Sequence, residues 1–276
     1  MKPERSLQSH GKSSKVYVPI LKLIFSQKYV PGELFVDFTL DDIRDASKEL
    51  NLNLRNPPDL IYRMRSRTEL PQEIQEEGFR VLRQMGRGMY RLEKAESTII
   101  AIPDNPIQCA LDITPLPVRR LLPANLAEID EQGLLAVVNY CKLLDHFSGL
   151  QVYRLRSHVR KSVKALGQAE LDEIDVGVAL RNDEIPVIFP IEAKAADEPI
   201  NRVQISSMVL FSNQYFPNML VRPLVIKLDY SSLIHILEFN MSSEPSEVTI
   251  LRSATYKLTL SEEQVRLIHQ TEVVDL

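Results

Sequence analysis

Between Ala95 and Asn125 the chain carries Pro103, Pro106, Pro115, Pro117 and Pro123. A proline removes a backbone donor and pushes the residue before it toward extended backbone, so no long helix can cross this stretch. The chain must therefore be built as two blocks. The spacing predicts a proline-rich linker over 96–125, one domain over 16–95 and another over 126–276. With 276 residues, 44% of them hydrophobic, each block has enough apolar material for its own core, which excludes a disordered or fibrous chain. Residues 1–15 are polar, rich in Ser and Lys and without apolar periodicity, and read as a loose arm.

In the first block the signals run helix, strand, helix, helix, hairpin. Val18, Leu21, Ile24 and Phe25 have helical spacing over Val16 to Gln27, and Pro31-Gly32 separates them from the apolar run Leu34 to Phe38. Thr39 reads as an N-cap followed by Asp41 and Asp42, with Leu40, Ile43, Ala46 and Leu50 on one face. Pro57 and Pro58 open a further helix with Leu60, Ile61 and Met64 inward. Two short strands, Phe79 to Arg83 and Met89 to Leu92, flank the turn Gly86-Arg87-Gly88. This order is that of a winged helix-turn-helix. Arg55, Arg63, Arg65, Arg67, Arg80, Arg83, Arg87 and Arg91 concentrate on its recognition helix and wing, as guanine edges and phosphates require. Arg63, Arg65, Arg67, Arg83 and Arg87 are the candidate DNA contacts; the alternative is a solvated face paired to Glu69, Glu73, Glu76 and Glu77.

Composition narrows the function by exclusion. Lys plus Arg number 33 against 37 Asp plus Glu, a net charge of -4, so nucleic-acid affinity must come from local patches. Two cysteines, Cys109 and Cys141, cannot form a disulfide framework or a CxxC zinc site and fit a reducing cytoplasm. No apolar run approaches the roughly 18 to 20 residues of a membrane span, and the first residues lack a signal-peptide core. A soluble cytoplasmic protein is expected. Gly11-Lys12-Ser13 is no phosphate loop, because Ser6 stands where the earlier glycine belongs. The histidines, His10, His146, His158, His235 and His269, show no zinc-ligand spacing, and there is no G-x-S-x-G elbow.

In the second block, Leu126 to Leu144 and Val203 to Phe216 have helical spacing, while Val176 to Leu180, Val187 to Ala193 and Leu224 to Ile226 read as strands, the first two joined by a turn over Arg181 to Glu184. The informative segments are Gly167-Gln168-Ala169-Glu170-Leu171-Asp172-Glu173-Ile174-Asp175 and Pro190-Ile191-Glu192-Ala193-Lys194. Residues two apart on a strand share a face, so Glu192 and Lys194 project together from the end of an apolar strand. Carboxylates brought together repel, and a hard divalent cation relieves the repulsion. Magnesium suits such a site, with manganese as an alternative ion.

At these residues, together with Leu155-Arg156-Ser157-His158-Val159-Arg160 and Gln204, the chain resembles the PD-(D/E)XK nuclease superfamily in a restriction-endonuclease-type branch. The resemblance covers roughly Leu126 to Glu238. It implies a restriction-endonuclease-like α+β or α/β domain with a central mixed sheet flanked by helices, magnesium-dependent cleavage of double-stranded DNA, and a homodimer that cuts both strands. The implied catalytic set is Asp172, Glu192 and Lys194, with Glu170, Asp175 and Gln204 as helpers, and metal held by Asp172, Glu192 and the Ala193 carbonyl. Hairpin counting leaves Asp175 as the alternative to Asp172, because strand register decides which acid meets Glu192. Arg156 and Arg160, just upstream, would neutralise DNA phosphates. Two rival readings remain: a winged-helix regulator with an inactive nuclease fold, and a nuclease acting on branched or damaged DNA or on RNA. Without a metal, Glu192 and Lys194 would form an ion pair.

Overall fold

The computed structural model of the protein describes residues 8–66, 69–178 and 186–261. The chain is a mixed α and β protein with several helices and one large mixed sheet, and it divides into two compact units: 1–98 with 162–169, and 99–161 with 170–276.

In the first unit the elements are α1 (Gln8–Lys28), β1 (Phe35–Thr39), α2 (Leu40–Glu49), α3 (Pro57–Ser66), α4 (Gln72–Glu76), β2 (Phe79–Gly86) and β3 (Met89–Lys94). Thr39 caps α2 reciprocally: the Asp42 N–H donates to the Thr39 hydroxyl at 3.2 Å, and the Thr39 N–H donates to the Asp42 carboxylate at 2.6 Å. The three strands form an antiparallel sheet in the order β1-β3-β2, with Phe38 opposite Tyr90. Between β2 and β3, Gly86 and Gly88 adopt φ of +137° and +73°, which glycine takes without the clash a β-carbon would bring. Ile20, Leu21, Ile24, Phe38, Leu60, Ile74, Phe79 and Leu92 fill the core. Helix α1 starts at Gln8, inside the stretch expected to be a loose arm. Buried Ile20, Leu21 and Ile24 anchor the helix, and extending it toward the N-terminus adds one hydrogen bond per residue fixed. Residues 1–7 lie outside the described residues.

The second unit contains β4 (Ile99–Ile100), β5 (Ile107–Asp112), α5 (Glu131–Tyr140), α6 (Leu143–Ser148), β6 (Gln151–Lys161), β7 (Ala169–Val178), β8 (Val187–Lys194), β9 (Ile200–Asn201), α7 (Arg202–Tyr215), β10 (Leu220–Val221), β11 (Leu224–Leu228), β12 (Leu233–Phe239) and β13 (Ile250–Thr259). The main sheet runs β5-β13-β12-β11-β8-β7-β6, with β10 on β8. Strands β8 and β11 pair in parallel, while β7 and β8 pair antiparallel. All eight residues of β8 are buried, as expected of a central strand covered on both faces. Its odd-numbered residues, Val187, Phe189, Ile191 and Ala193, share a core with Leu134, Leu135, Val137 and Val138 of α5.

Two sequence expectations need correction here. The stretch 96–125 is not a linker, because β5 lies within it and pairs with β13, Cys109 opposite Tyr256. Its prolines fall between the strands, where no ladder donor is lost. The helix expected over Leu126 to Leu144 is broken into a short turn, α5 and α6, with Lys142 left-handed at φ +54° between the last two. The expected turn at Arg181 to Glu184 lies outside the described residues. Among the described residues no helix is long and apolar enough to cross a membrane.

Candidate functional site

Register decides which carboxylates meet. Strands β7 and β8 pair Glu173 with Ile191, Ile174 with Pro190 and Asp175 with Phe189. Continuing that antiparallel register by one step sets Asp172 across from Glu192 on one face, and Asp175 behind it on the other. The Asp172 carboxylate accepts the Ala193 backbone N–H at 2.8 Å, which fixes it between Glu192 and Lys194 in the sequence of β8. Lys194 Nζ donates to Glu192 Oε1 at 2.8 Å, and Gln204 Nε2, from the first turn of α7, donates to the same oxygen at 2.6 Å. Asp172, Glu192, Lys194 and Gln204 are thus brought together.

Burial sets the electrostatics. Glu192 and Lys194 are only 8% and 7% exposed. Loss of solvent pushes the Glu192 carboxyl up to about 7, even with the Lys194 ammonium pulling it down. The same burial raises Asp172 against the opposing pull of the Ala193 N–H and Lys194. Burial by itself would lower Lys194, but Glu192, Glu198 and Asp172 outweigh it and hold its proton more tightly than usual. The result is a buried cluster of carboxyls around one ammonium.

Other sequence candidates do not reach this cluster. Asp175 is fully buried on the opposite face of β7, beside Glu173, which pairs with Arg154 at 2.6 Å and accepts from Asn139 at 3.1 Å. Asp175 is therefore not the partner of Glu192. Glu170 shares the Asp172 face but lies exposed, paired to Arg160 at 2.9 Å. Among the candidate DNA contacts, Arg83 is a correction: it is 7% exposed and paired with buried Glu93, so it is closed to a polyanion. Arg63 is half-buried and bonded to Asp59 at 3.0 Å. Arg87 and Arg156 are exposed. The Arg65 side chain and all of Arg67 lie outside the described residues.

Two acidic residues near the cluster escaped sequence reasoning. Glu198 accepts the Ala195 N–H at 3.2 Å and acts on Lys194, while Glu131, in the first turn of α5, acts on both Asp172 and Glu198. Glu198 lies four residues past Lys194 and could have been suspected from proximity. Nothing local marks Glu131, which stands on α5, 41 residues before Asp172, a separation that only the tertiary fold closes. Among the described residues no three Asp, Glu, His or Cys side chains form a group able to hold a metal ion.

Comparisons with protein-family models, with curated proteins and with solved structures returned no match. Fold and site therefore rest on the chain's own residues.

Proposed function

We propose that the protein is a magnesium-dependent endonuclease acting on double-stranded DNA, of the sequence-specific restriction type. In this reading the first unit is a winged helix that recognises DNA, the second is a PD-(D/E)XK nuclease domain, and two copies act together on the two strands. The observation that carries it is the meeting of Asp172, Glu192 and Lys194 on one face of two paired strands, in a buried setting. Two carboxyls raised by burial on adjacent strands offer hard oxygens, the donor type magnesium takes, beside the single ammonium of Lys194. Asp172, Glu192 and the Ala193 carbonyl would hold the ion. When bound, it would supply Lewis-acid stabilisation of the phosphate and make water more acidic.

The chain's own groups account for the rest. Gln204 and Lys194 both donate to Glu192 Oε1 and fix the carboxylate's orientation, leaving its other oxygen for the ion. Lys194, kept protonated by the acids around it, offers a fixed cation to charge that develops on the phosphate. The Ala193 N–H holds Asp172 in place.

A second reading, a DNA-binding regulator with an inactive nuclease fold, is favoured by the double occupation of Glu192 Oε1, which leaves the ammonium paired internally. One experiment separates them. The parent should cleave plasmid DNA with magnesium and Lys194→Ala should abolish this while leaving DNA binding in place; a parent that binds but does not cleave would defeat the nuclease reading, and undiminished cleavage by the variant would move catalysis away from this cluster. Parallel digests of single-stranded DNA, branched DNA and RNA would identify a different nucleic-acid substrate.

A further inference from the structure

Strand β6 is the last strand of the main sheet, next to β7. In an undistorted strand, residues an even number apart share a face. Arg154 and Arg160 are both even-numbered, yet Arg154 pairs with Glu173 and Arg160 with Glu170, which lie on opposite faces of β7. These two ion pairs place a one-residue slip in the alternation of β6 between Arg154 and Arg160. The residue in that interval with a left-handed backbone is His158, at φ +48°.

A single left-handed residue in a strand is how a β-bulge re-aims side chains, and bulges gather at sheet edges and beside active sites. Histidine is one of the few residues besides glycine that adopt that backbone with some frequency, so the ring can stand at the slip itself. The slip carries Arg160 onto the face that Glu170 and Asp172 share. Burial raises the Asp172 carboxyl overall, and His158 is among the groups that oppose that rise. Two other histidines of this unit have structural partners: His146 Nδ1 lies 2.9 Å from the Tyr256 hydroxyl, and His235 lies 3.0 Å from both Thr255 and Asp229. His158 instead is exposed, and its ring makes no hydrogen bond among the described residues.

We infer that His158 is a substrate-contacting residue, its imidazole N–H donating to a non-bridging oxygen of the phosphodiester presented to Asp172 and Glu192. This rests on the nuclease reading. Strand β6 ends the sheet and His158 is exposed on it, where a polymer can approach, whereas Lys194 and Glu192 are buried on β8. Histidine thus supplies a donor from the strand edge that the buried groups cannot.

The test uses the full chain, duplex DNA and saturating magnesium in single-turnover cleavage. His158→Gly keeps the left-handed backbone free of strain and removes the ring; His158→Asn also tolerates that backbone but keeps an N–H donor. The Gly variant should cleave about 10²-fold more slowly, the loss typical of one preorganised donor to a reacting oxyanion. The Asn variant should recover much of that rate, and the affinity of each DNA-free variant for manganese, read by titration calorimetry, should equal the parent's. Parental cleavage by the Gly variant, equal rates for Gly and Asn, or a rate loss explained by lost manganese binding would each overturn the inference and leave the nuclease reading standing. A parent chain without metal-dependent cleavage would overturn both.

Discussion

Asp175 shows how much one side chain's direction matters. Its neighbours along β7 point alternately to the two faces, and one step of register sends it away from Glu192 and into a closed space beside Glu173. Neither of its carboxylate oxygens has a donor among the described residues, and burial together with the Glu173 charge pushes its carboxyl up to about 8, while Arg154 pulls the other way. A carboxyl in that position keeps a proton when folded that it releases near 3.8 when unfolded. Between those values the folded state binds more protons, so stability falls as pH rises from about 4 to about 8 and then levels. Asp175→Asn removes the charge and keeps the shape. Its stability relative to the parent should improve across that window, by up to about 5 kcal/mol at the alkaline end, the linkage energy of a carboxyl moved from 3.8 to about 8. Urea denaturation at several pH values reads this directly; parallel stability curves for the two proteins would show that Asp175 does not hold the proton.

At the scale of elements, the hairpin of β2 and β3 carries a comparable lesson about arginine. Its sequence is rich in arginines, and spacing alone cannot say which ones face water. Strand β2 buries Val81, Leu82 and Arg83 in succession, and Arg83 meets Glu93 of β3 with both partners almost fully enclosed. Removing one partner strands the other charge away from water. Arg83→Ala should therefore cost about 3–5 kcal/mol, whereas Arg83→Met combined with Glu93→Leu, which replaces both charges by apolar groups, should be nearly neutral. Thermal unfolding of the single and double variants makes the comparison. A single variant as stable as the double would mean that Arg83 reaches solvent. Gly177 on β7 marks a second constraint that spacing does not reveal: a β-carbon there would lie 2.6 Å from the Phe189 ring, so the strand needs a residue without one.

For the whole molecule, the formal charge of -4 means that the chain as a whole repels DNA and only local placement can reverse this. Arg87, exposed in the turn between two glycines, is well placed to follow a phosphate backbone. If it makes one phosphate contact, Arg87→Ala should reduce the slope of log affinity against log salt by about 1 and weaken all DNA sequences alike. Fluorescence anisotropy over a salt series measures both. An unchanged slope would place Arg87 off the DNA; a loss confined to one sequence would make it a base contact instead.

The sequence by itself determined the order of helices and strands in the first unit apart from the short α4, the Thr39 cap, the buried strand ending in Glu192 and Lys194, and the place of Gln204, because each depends on local periodicity or on residues a few positions apart. Tertiary structure decided the rest. Strand register chose Asp172 over Asp175, packing closed Arg83 away, pairing with β13 turned the proline-rich stretch into part of the sheet, and a helix far upstream brought Glu131 to the acids. Side-chain alternation along a strand is written in the sequence, but which strand lies beside it, and in what register, depends on the free energy of the whole core. Those choices are not local and could not be read residue by residue.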